Sequence, residues 1–485
     1  MSRQIVGPFN RVEGDLEVTL DVVDGRVAAA HVNAPMYRGF EQILQGKAPR
    51  DALVIVPRIC GICSVTQSVA AANALAALAG VTPPRNGRLA TQITLATENL
   101  ADHLTHFYLF FMPDFSRPAY SARAWWAEAV RRYDPQTGER TRAATAARQR
   151  WMTLMGTLAG KWPHTMSIEP GGSSRAIEAG ERVRLLAKVR EFQSFVETTL
   201  LGDSLARLAE IDSLAALWAW VDEAPQQGDL RFFLGLARDL DLAHLGTGPG
   251  RYLCHGAYPE DDGAWLAPPG LWRASDARLH PLDLGKITED ASHAWMAEAG
   301  APRHPSRGLT EPDPDKPGAY SWSKAPRLGG EVVEAGAIAR QLAAGHPLLL
   351  DAVARTGGNV LTRVLARVVE IAVVLPHMAR WLRELHPGEP WCVDAHLPAD
   401  GDAVGLTEAA RGALGHWLRV QGGRIASYQI VAPTTWNFSP RDAAGTPGAL
   451  EAALVGTPVS PGAATPVAVQ HVVRSFDPCM VCTVH

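Results

Sequence analysis

Two Cys-x-x-Cys motifs at opposite ends of the chain constrain its fold more than any other feature. Cys60 and Cys63 lie near the front, and Cys479 and Cys482 lie close to the last of 485 residues. Two such motifs can surround one metal with four thiolates. Zinc ribbons and fingers close loops of a few tens of residues, whereas 415 residues separate these two motifs. A large core must therefore bring the motifs together, which favours a functional centre over a structural clip.

The cysteine pattern alone leaves other kinds of site open. A single Cys-Gly-x-Cys motif could be a redox dithiol, but that would leave the second pair without a role. A zinc-stapled scaffold is another alternative, because thiolates bind Zn, Cu(I), Ni and Fe. The two single cysteines, Cys254 and Cys392, are predicted to be small buried hydrophobic residues. Six cysteines are too few for a disulfide scaffold, so a reducing compartment is expected.

Composition excludes several classes of function. Lys and Arg number 46 against 50 Asp and Glu, so no basic excess attracts nucleic acid. The longest apolar runs, such as residues 368–376, are far shorter than the roughly 20 residues of a membrane span. The N-terminus lacks the apolar stretch of a secretory signal, so a cytoplasmic location is expected.

The patterning predicts a mainly α-helical fold with a peripheral β component, an α+β class built around a bundle of long helices. Alternation over residues 16–22 and 26–32, with a turn at Asp24-Gly25, predicts a hairpin. Helical patterns include residues 65–79, 88–112, 334–385 and 407–420.

We expect one domain over residues 1–485, and its parts follow the patterning. They are a β-rich part at about 1–45, a helical core at about 50–220 and 334–420, a loop-rich insertion at about 225–326 and a metal-binding tail at 433–485.

An ordered set of segments then points to a known family. The segments are Arg11–Gly14, Arg38–Glu41, Arg58–Cys63, Asp102–Tyr108, Gly160–His164, Lys324–Arg327, Glu408–His416, Pro433–Asn437 and Asp477–His485. Together they resemble the large, catalytic subunit of nickel–iron hydrogenases. The resemblance spans the whole chain and implies that large-subunit fold.

The resemblance implies a Ni–Fe centre whose iron carries CO and CN⁻ ligands. Cys60 and Cys479 would be terminal ligands of nickel, while Cys63 and Cys482 would bridge nickel and iron. Such an enzyme splits H₂ heterolytically into protons and electrons.

Further residues acquire roles by the same match. Glu13 corresponds to an acid that passes protons outward, and Arg411 to a guanidinium over the open metal position, with Asp102 and Asp477 as its carboxylate partners. The backbone around Pro433 and the hydroxyl of Thr434 would hydrogen-bond a cyanide ligand. Without the resemblance, Glu13 would be interpreted as a capping or ion-paired residue at a strand end, and Arg411, Asp102, Asp477 and Thr434 as ordinary buried polar residues.

A second metal and a partner chain are also implied. Glu41, His485 and the carbonyl of Ile430 correspond to ligands of Mg²⁺. Cys254 and Cys392 are the only cysteines left over, and two cannot hold an iron–sulfur relay. An obligate small subunit carrying those clusters is therefore expected, and the heterodimer could pair into a dimer of heterodimers.

Three departures from the usual pattern suggest a branch within the family. Gln67 stands where ordinary uptake members have His, Ala410 stands where Pro usually precedes the Arg, and Ile62 and Phe110 are bulkier than the usual Val and Leu along the gas channel. Gln67, the bulky pair and the short length resemble the regulatory branch, whose members sense H₂ in the cytoplasm and report to a histidine kinase.

Two alternatives within this resemblance remain. The chain could be an energy-generating uptake hydrogenase in which these positions have drifted. It could also be a non-catalytic relative, like the quinone-reductase subunits of respiratory complexes. Those subunits have lost the metal-binding cysteines, whereas this chain keeps all four.

Overall fold

The computed structural model describes residues 2–297, 300–460, 462–463 and 465–485. Its strands are β1 (Ser2–Val6), β2 (Glu17–Val23), β3 (Arg26–Asn33), β4 (Ile168–Glu169), β5 (Gly172–Ser173), β6 (Arg251–Cys254), β7 (Ala257–Pro259), β8 (Trp265–Ala267), β9 (Gly270–Arg273), β10 (Arg278–His280), β11 (Ile287–Asp290), β12 (Ala325–Leu328), β13 (Glu334–Ala335), β14 (Gly401–Ala409), β15 (Gly412–Gln421) and β16 (Arg424–Val431).

The α-helices are α1 (Phe40–Leu44), α2 (Ala52–Ile55), α3 (Ser64–Ala79), α4 (Arg85–Thr105), α5 (Trp126–Tyr133), α6 (Glu139–Leu158), α7 (Ala179–Phe195), α8 (Leu205–Ala209), α9 (Leu214–Glu223), α10 (Asp229–Asp239), α11 (Ala337–Ala343), α12 (Pro347–Thr356), α13 (Val360–Glu384), α14 (Pro433–Asn437), α15 (Ala449–Leu454), α16 (Val467–Ser475) and α17 (Met480–Thr483).

The N-terminal part is an antiparallel sheet in the order β1-β2-β3. Val18, Leu20 and Val32 are buried, as the alternation predicts for a sheet with one face on the core. The predicted hairpin is confirmed, with Asp24 and Gly25 both in the left-handed region. Strand β1, which lies within the predicted β-rich part, pairs with β2 along its whole length.

Long helices form the centre of the molecule. Helix α4 packs against α6 and α13, and its backbone continues through a π-helical segment, His106–Phe111. Almost every side chain of α4 beyond its first turn is buried. The predicted buried helix over residues 88–112 is therefore confirmed, and its burial on several sides explains why apolar residues do not keep to one stripe.

Helix α3 joins the helical centre to a C-terminal sheet of order β14-β15-β16. Its alanine-rich sequence lets the helix lie very close to β14. A Cβ atom at Gly405 would lie 2.0 Å from the carbonyl oxygen of Ala70, so only glycine permits this approach. The tight packing orients α3, whose N-terminus carries Cys63.

The helix predicted over residues 407–420 is wrong, because this segment forms the end of β14 and most of β15. Its alanines, leucines and charged residues are good helix formers. Nearly all of β15 is buried, so the polar–apolar alternation that identifies a half-exposed strand is missing. Gly412, with φ of 122°, instead follows a tight turn between the two strands.

The loop-rich stretch over residues 225–326 contains the expected short strands, β6 to β11. It also contains helix α10, which was not predicted because the density of Pro, Gly, Asp and Trp in this stretch indicated loops and short strands. Among the described residues, no helix is both long and apolar enough to cross a bilayer.

Candidate metal centre

The two cysteine motifs meet because the C-terminal tail returns to the N-terminal segment. An isolated parallel bridge joins Glu13 to Cys479, and the amide of Met480 donates a hydrogen bond to the Glu13 carbonyl at 2.7 Å. Gly14 has φ of 80°, and a Cβ atom there would lie 3.0 Å from the side chain of Val481. The two chain ends are therefore held together by backbone contacts next to the cysteines.

Each cysteine pair lies on a short turn that leads into a helix. Cys60 follows the 3₁₀ turn Val56–Ile59, and Cys63 immediately precedes α3. Cys479 immediately precedes α17, and Cys482 lies within that helix. The turns direct both sulfurs of each pair to the same point.

The four sulfur atoms form one buried cluster in which all lie within 4.8 Å of one another. The Sγ atoms of Cys60 and Cys479 are 3.4 Å apart, and those of Cys63 and Cys482 are 2.8 Å apart. Each pair in contact combines one cysteine from each end of the chain. The four cysteines form a metal site.

Joint ionisation of the four thiols requires a cation. Hydrogen bonds from Cys479 and the other thiols lower the pKa of Cys60 well below its ordinary value, whereas the same neighbours raise the pKa of Cys63. Burial raises the pKa of Cys479 and Cys482. One thiolate forms readily, and further negative charge must be balanced by metal. Nickel and iron bind such soft ligands, so this donor set fits the implied group.

Glu13 lies beside the cluster with its side chain half-buried. Burial raises its pKa, as does the negative charge of Cys60, and the two arginines Arg411 and Arg38 oppose the rise. A raised pKa suits a carboxyl group that takes up and releases protons in turn.

Arg411 lies at the tip of the β14–β15 hairpin with both predicted carboxylates in contact. Its Nη1 donates to Asp102 Oδ2 at 3.1 Å, its Nη2 to Asp477 Oδ1 at 3.2 Å, and its Nε to the Asp477 carbonyl at 3.1 Å. All three residues are buried. Burial raises the pKa of Asp102 well above its ordinary value. Burial also opposes ionisation of Asp477, but the charges of Arg411, His106 and Arg367 together outweigh it and lower the pKa of Asp477.

Thr434 and Pro433 begin helix α14 next to the tail. The hydroxyl oxygen of Thr434 accepts a hydrogen bond from the Cys479 amide at 3.2 Å. The hydroxyl hydrogen is then available as a donor toward a group beside the cysteine, which fits the predicted role in holding a cyanide.

Gln67 connects one cysteine to a chain of polar side chains. Its Nε2 donates to Cys482 Sγ at 3.9 Å, and its Oε1 accepts from His416 Nε2 at 2.9 Å. Because Nε2 of His416 carries the hydrogen, Nδ1 accepts from the Tyr428 hydroxyl at 2.8 Å. Burial lowers the pKa of His416 to about 3, so the ring is neutral.

The three groups implied for magnesium also lie together. His485 Nε2 is 2.9 Å from the Ile430 carbonyl oxygen and 3.4 Å from Glu41 Oε1. Burial opposes ionisation of Glu41, but Lys324 and His485 outweigh it and lower its pKa to about 2. A carboxylate, a carbonyl oxygen and an imidazole thus surround one buried point.

The two positions assigned to a gas channel are both half-buried. Ile62 lies between the first two cysteines and packs against the main core. Phe110 lies in the π-helical segment after α4, and its carbonyl accepts from Arg11 Nη1 at 3.3 Å. Their role as a filter stays a prediction.

The single cysteines differ in environment. Cys254 is fully buried, as predicted. Cys392 is exposed, so the prediction of a small buried hydrophobic residue is wrong there. It lies in an irregular segment that bridges to Gly172 through the backbone, a pairing without a local sequence signal.

The sequence reading assigned no role to Arg38 or Glu98, although both support the cysteine loops. Arg38 Nη2 donates to the carbonyls of Ile59 and Val481, at 2.7 and 2.5 Å, and so joins the two motifs. Glu98 accepts from the amides at the start of α3, directly after Cys63. Isolated charged residues of this kind carry no spacing pattern, so only the structure reveals their contacts.

Comparisons with known proteins agree with this site. A family model described as nickel-dependent hydrogenase matches residues 38–131 and 143–485. The periplasmic [NiFeSe] hydrogenase large subunit of Desulfomicrobium baculatum is 31% identical over 99% of this chain and 94% of its own length. The hydrogenase-2 large chain of Escherichia coli K12 is 28% identical over 100% of this chain and 97% of its own length.

A solved structure extends the similarity to the fold. The H₂-activated [NiFeSe]-hydrogenase from Dm. baculatum superposes with a TM-score of 0.86 at 30% identity and covers 100% of both chains. The predicted fold class is therefore confirmed. The family model covers most of the sequence and includes all four cysteines of the buried cluster. The chain thus belongs to the nickel-dependent hydrogenases, as an enzyme with the large-subunit fold.

Proposed function

We propose that this chain splits H₂ into protons and electrons at a Ni–Fe(CO)(CN)₂ centre held by its four clustered cysteines. The observation that carries the proposal is the buried convergence of four sulfurs from both chain ends within 4.8 Å. In this proposal the thiolates of Cys60 and Cys479 would hold nickel, and those of Cys63 and Cys482 would hold nickel and iron. Retention of all four separates the chain from relatives that have lost them.

The surrounding residues move and balance charge. When bound, the metal pair supplies an electron-rich, open position at which the H–H bond is polarised. Glu13 takes up the proton on the Cys60 side, and its half-exposed carboxyl passes the proton outward. Arg411 holds a fixed positive charge toward the sulfurs, because Asp102 and Asp477 bind its guanidinium on two sides.

A magnesium ion bound by Glu41, the Ile430 carbonyl and His485 would hold the C-terminus in place. Two hard oxygen ligands support this assignment. Replacing His485 with alanine should remove bound magnesium, measured by elemental analysis of the purified complex. Unchanged magnesium in that variant would refute the site.

Electrons must leave through an iron–sulfur small subunit. Only Cys254 and Cys392 lie outside the buried cluster, and two cysteines cannot hold an iron–sulfur relay. The expected complex is an obligate heterodimer with a large apolar interface. Co-purification of a second chain that carries iron and sulfide tests this partner.

The finer proposal is that the enzyme senses H₂ in the cytoplasm and reports to a histidine kinase. Gln67, which contacts Cys482 directly, and the bulky Ile62 and Phe110 support the regulatory branch. An energy-generating uptake enzyme is the second candidate, because a relative that is 26% identical is an uptake hydrogenase large subunit of Rubrivivax gelatinosus.

Infrared spectroscopy of the purified heterodimer tests the catalytic proposal. Carbonyl and cyanide stretching bands are expected, together with one nickel per heterodimer and iron beyond that of the small subunit's clusters. Zinc in place of nickel and iron, with no diatomic bands, would favour a zinc-stapled scaffold and overturn the proposal.

A gene deletion tests the sensor proposal separately. Loss of H₂-dependent transcription, with H₂-driven growth retained through other enzymes, is the expected phenotype. Loss of H₂-driven growth with transcription intact would identify an uptake enzyme instead. Fractionation of cells tests the cytoplasmic location.

A further inference from the structure

Arg411 lies at the tip of a β-hairpin. Ala409 pairs with Gly412, so Ala410 and Arg411 form a two-residue turn between β14 and β15. Hairpin tips have few ladder hydrogen bonds to fix them. The position of the Arg411 guanidinium therefore depends on what holds this turn from outside the sheet.

One buried side chain from another element holds both carbonyls of this turn region. Nη1 of Arg340, on α11, donates to the Ala409 carbonyl at 2.6 Å, and its Nη2 donates to the Ala410 carbonyl at 3.0 Å. Arg340 is 1% exposed. Arg340 therefore binds the backbone of the two residues that immediately precede Arg411.

Two carboxylates fix the Arg340 side chain in turn. Glu370 on α13 accepts from Nε at 2.9 Å and from Nη2 at 2.8 Å, and Glu408 accepts from Nη1 at 2.8 Å. All five N–H groups of the planar guanidinium thus donate hydrogen bonds. A lysine could not reproduce this geometry, since its ammonium is a single point charge on a flexible stem.

The same frame reaches the partner of Arg411. His103 Nε2 donates to Glu370 Oε1 at 3.0 Å, and His103 directly follows Asp102 on α4. Glu370 therefore connects the helix turn that carries Asp102 to the arginine that holds the Arg411 turn. Both members of the Arg411–Asp102 pair are fixed by one buried network.

We infer that Arg340 is a positioning residue for the H₂ reaction, because it fixes the turn that places the Arg411 guanidinium toward the four sulfurs. The inference rests on the proposed function of Arg411. It assigns to Arg340, with Glu370, a role in setting the geometry of the reaction without contact with the metals.

Hydrogen–deuterium exchange of the intact heterodimer tests the geometric part without reference to activity. Arg340→Lys keeps the charge but loses the planar fork, so a peptide covering residues 405–416 should exchange faster, while a peptide covering β16 should not. Arg231→Lys is the matched control: Arg231, on α10, is also buried and binds the carboxylate of Asp203 and the backbone carbonyls of Trp220 and Gly202. Equally faster exchange in both peptides, or an unchanged exchange rate in the peptide covering residues 405–416, would overturn the inference.

A double-mutant cycle on H₂ oxidation tests the chemical part. Arg340→Lys should lower kcat more than it changes KM for H₂, and should cause no further loss in an Arg411→Lys background. Equal fold-losses in both backgrounds, as expected for Arg231→Lys, would show a merely structural role and overturn the inference. If Arg411→Lys alone leaves kcat unchanged, the proposed function of Arg411 is refuted. The single variant thus separates failure of that function from failure of the role inferred for Arg340. Equal nickel content in all variants is the loading control.

Discussion

Replacing Glu98 with alanine removes the acceptor that closes the N-terminus of the helix after Cys63. The Glu98 carboxylate accepts from the amides of Val65 and Thr66 at 2.9 Å each, from the Thr66 hydroxyl at 3.0 Å and from Trp162 Nε1 at 2.9 Å. Glu98 is fully buried on α4, so no bulk water can replace these bonds.

The cost can be worked out from these contacts. The Thr66 hydroxyl can turn to another acceptor, and half-buried Trp162 is within reach of water, which leaves two buried amide donors without partners. At ~1–3 kcal/mol for each orphaned buried donor, the loss is about 3 kcal/mol. For a chain of this length, an unfolding entropy near 2.1 cal/mol/K per residue converts that loss to a Tm decrease of about 3 °C. The first turn of α3 should also loosen and displace Cys63.

The assay is nickel content together with the thermal unfolding of the purified heterodimer. Glu451→Ala is the matched control, since Glu451 is also a buried carboxyl that accepts from two amides and a hydroxyl, those of Val32, Gly448 and Tyr320. Both variants should lose similar stability, but only Glu98→Ala should lose nickel. Full nickel in Glu98→Ala, or equal nickel loss in both, would refute the reasoning.

Three further predictions follow from the site and the core. Gln67→Leu removes the N–H donor to Cys482 Sγ, so the thiolate should donate more charge to the metals and lower the CO stretching frequency; an unshifted band would contradict this. Burial raises the pKa of Glu451 to about 7 from 4.5, so this carboxyl holds a proton in the folded but not the unfolded state between these values; the free energy of unfolding of the wild type minus that of Glu451→Gln should therefore fall as pH rises from about 4.5 to 7, and a difference that stays constant or rises in denaturant titrations would be inconsistent. Ile62→Val combined with Phe110→Leu should widen the gas route and make H₂ oxidation more sensitive to O₂, and equal O₂ tolerance in activity assays would argue against a filter.

Features that repeat at a fixed spacing could be predicted from the sequence. The cysteine motifs and the ordered segments indicated the family, and the helices over residues 65–79 and 88–112 followed from their apolar patterns. The carboxylate contacts of Arg411 were implied by the family resemblance, and they agree with the need of a buried guanidinium for paired acceptors.

Features that depend on burial from several sides could not be predicted from the sequence. The segment over residues 407–420 has helix-forming residues but folds as strands, because tertiary packing on α3 and the turn at Gly412 outweigh local propensity. Arg340, Arg38 and Glu98 are single charged residues without a local pattern, so their contacts with distant backbone groups emerge only from the folded chain. Cys392 was predicted to be buried from its residue type alone, but it is exposed, because an apolar residue type does not require burial.

The central claim is that cysteines from opposite ends of the chain hold one bimetallic centre, and anomalous diffraction from crystals of the heterodimer tests it most directly. Apart from the iron of the small subunit, data collected at the nickel and iron absorption edges should show one nickel and one iron peak among the four sulfurs, adjacent to each other and both within bonding distance of Cys63 and Cys482. A single zinc peak among the four sulfurs, or metal bound to only one of the two motifs, would contradict the claim.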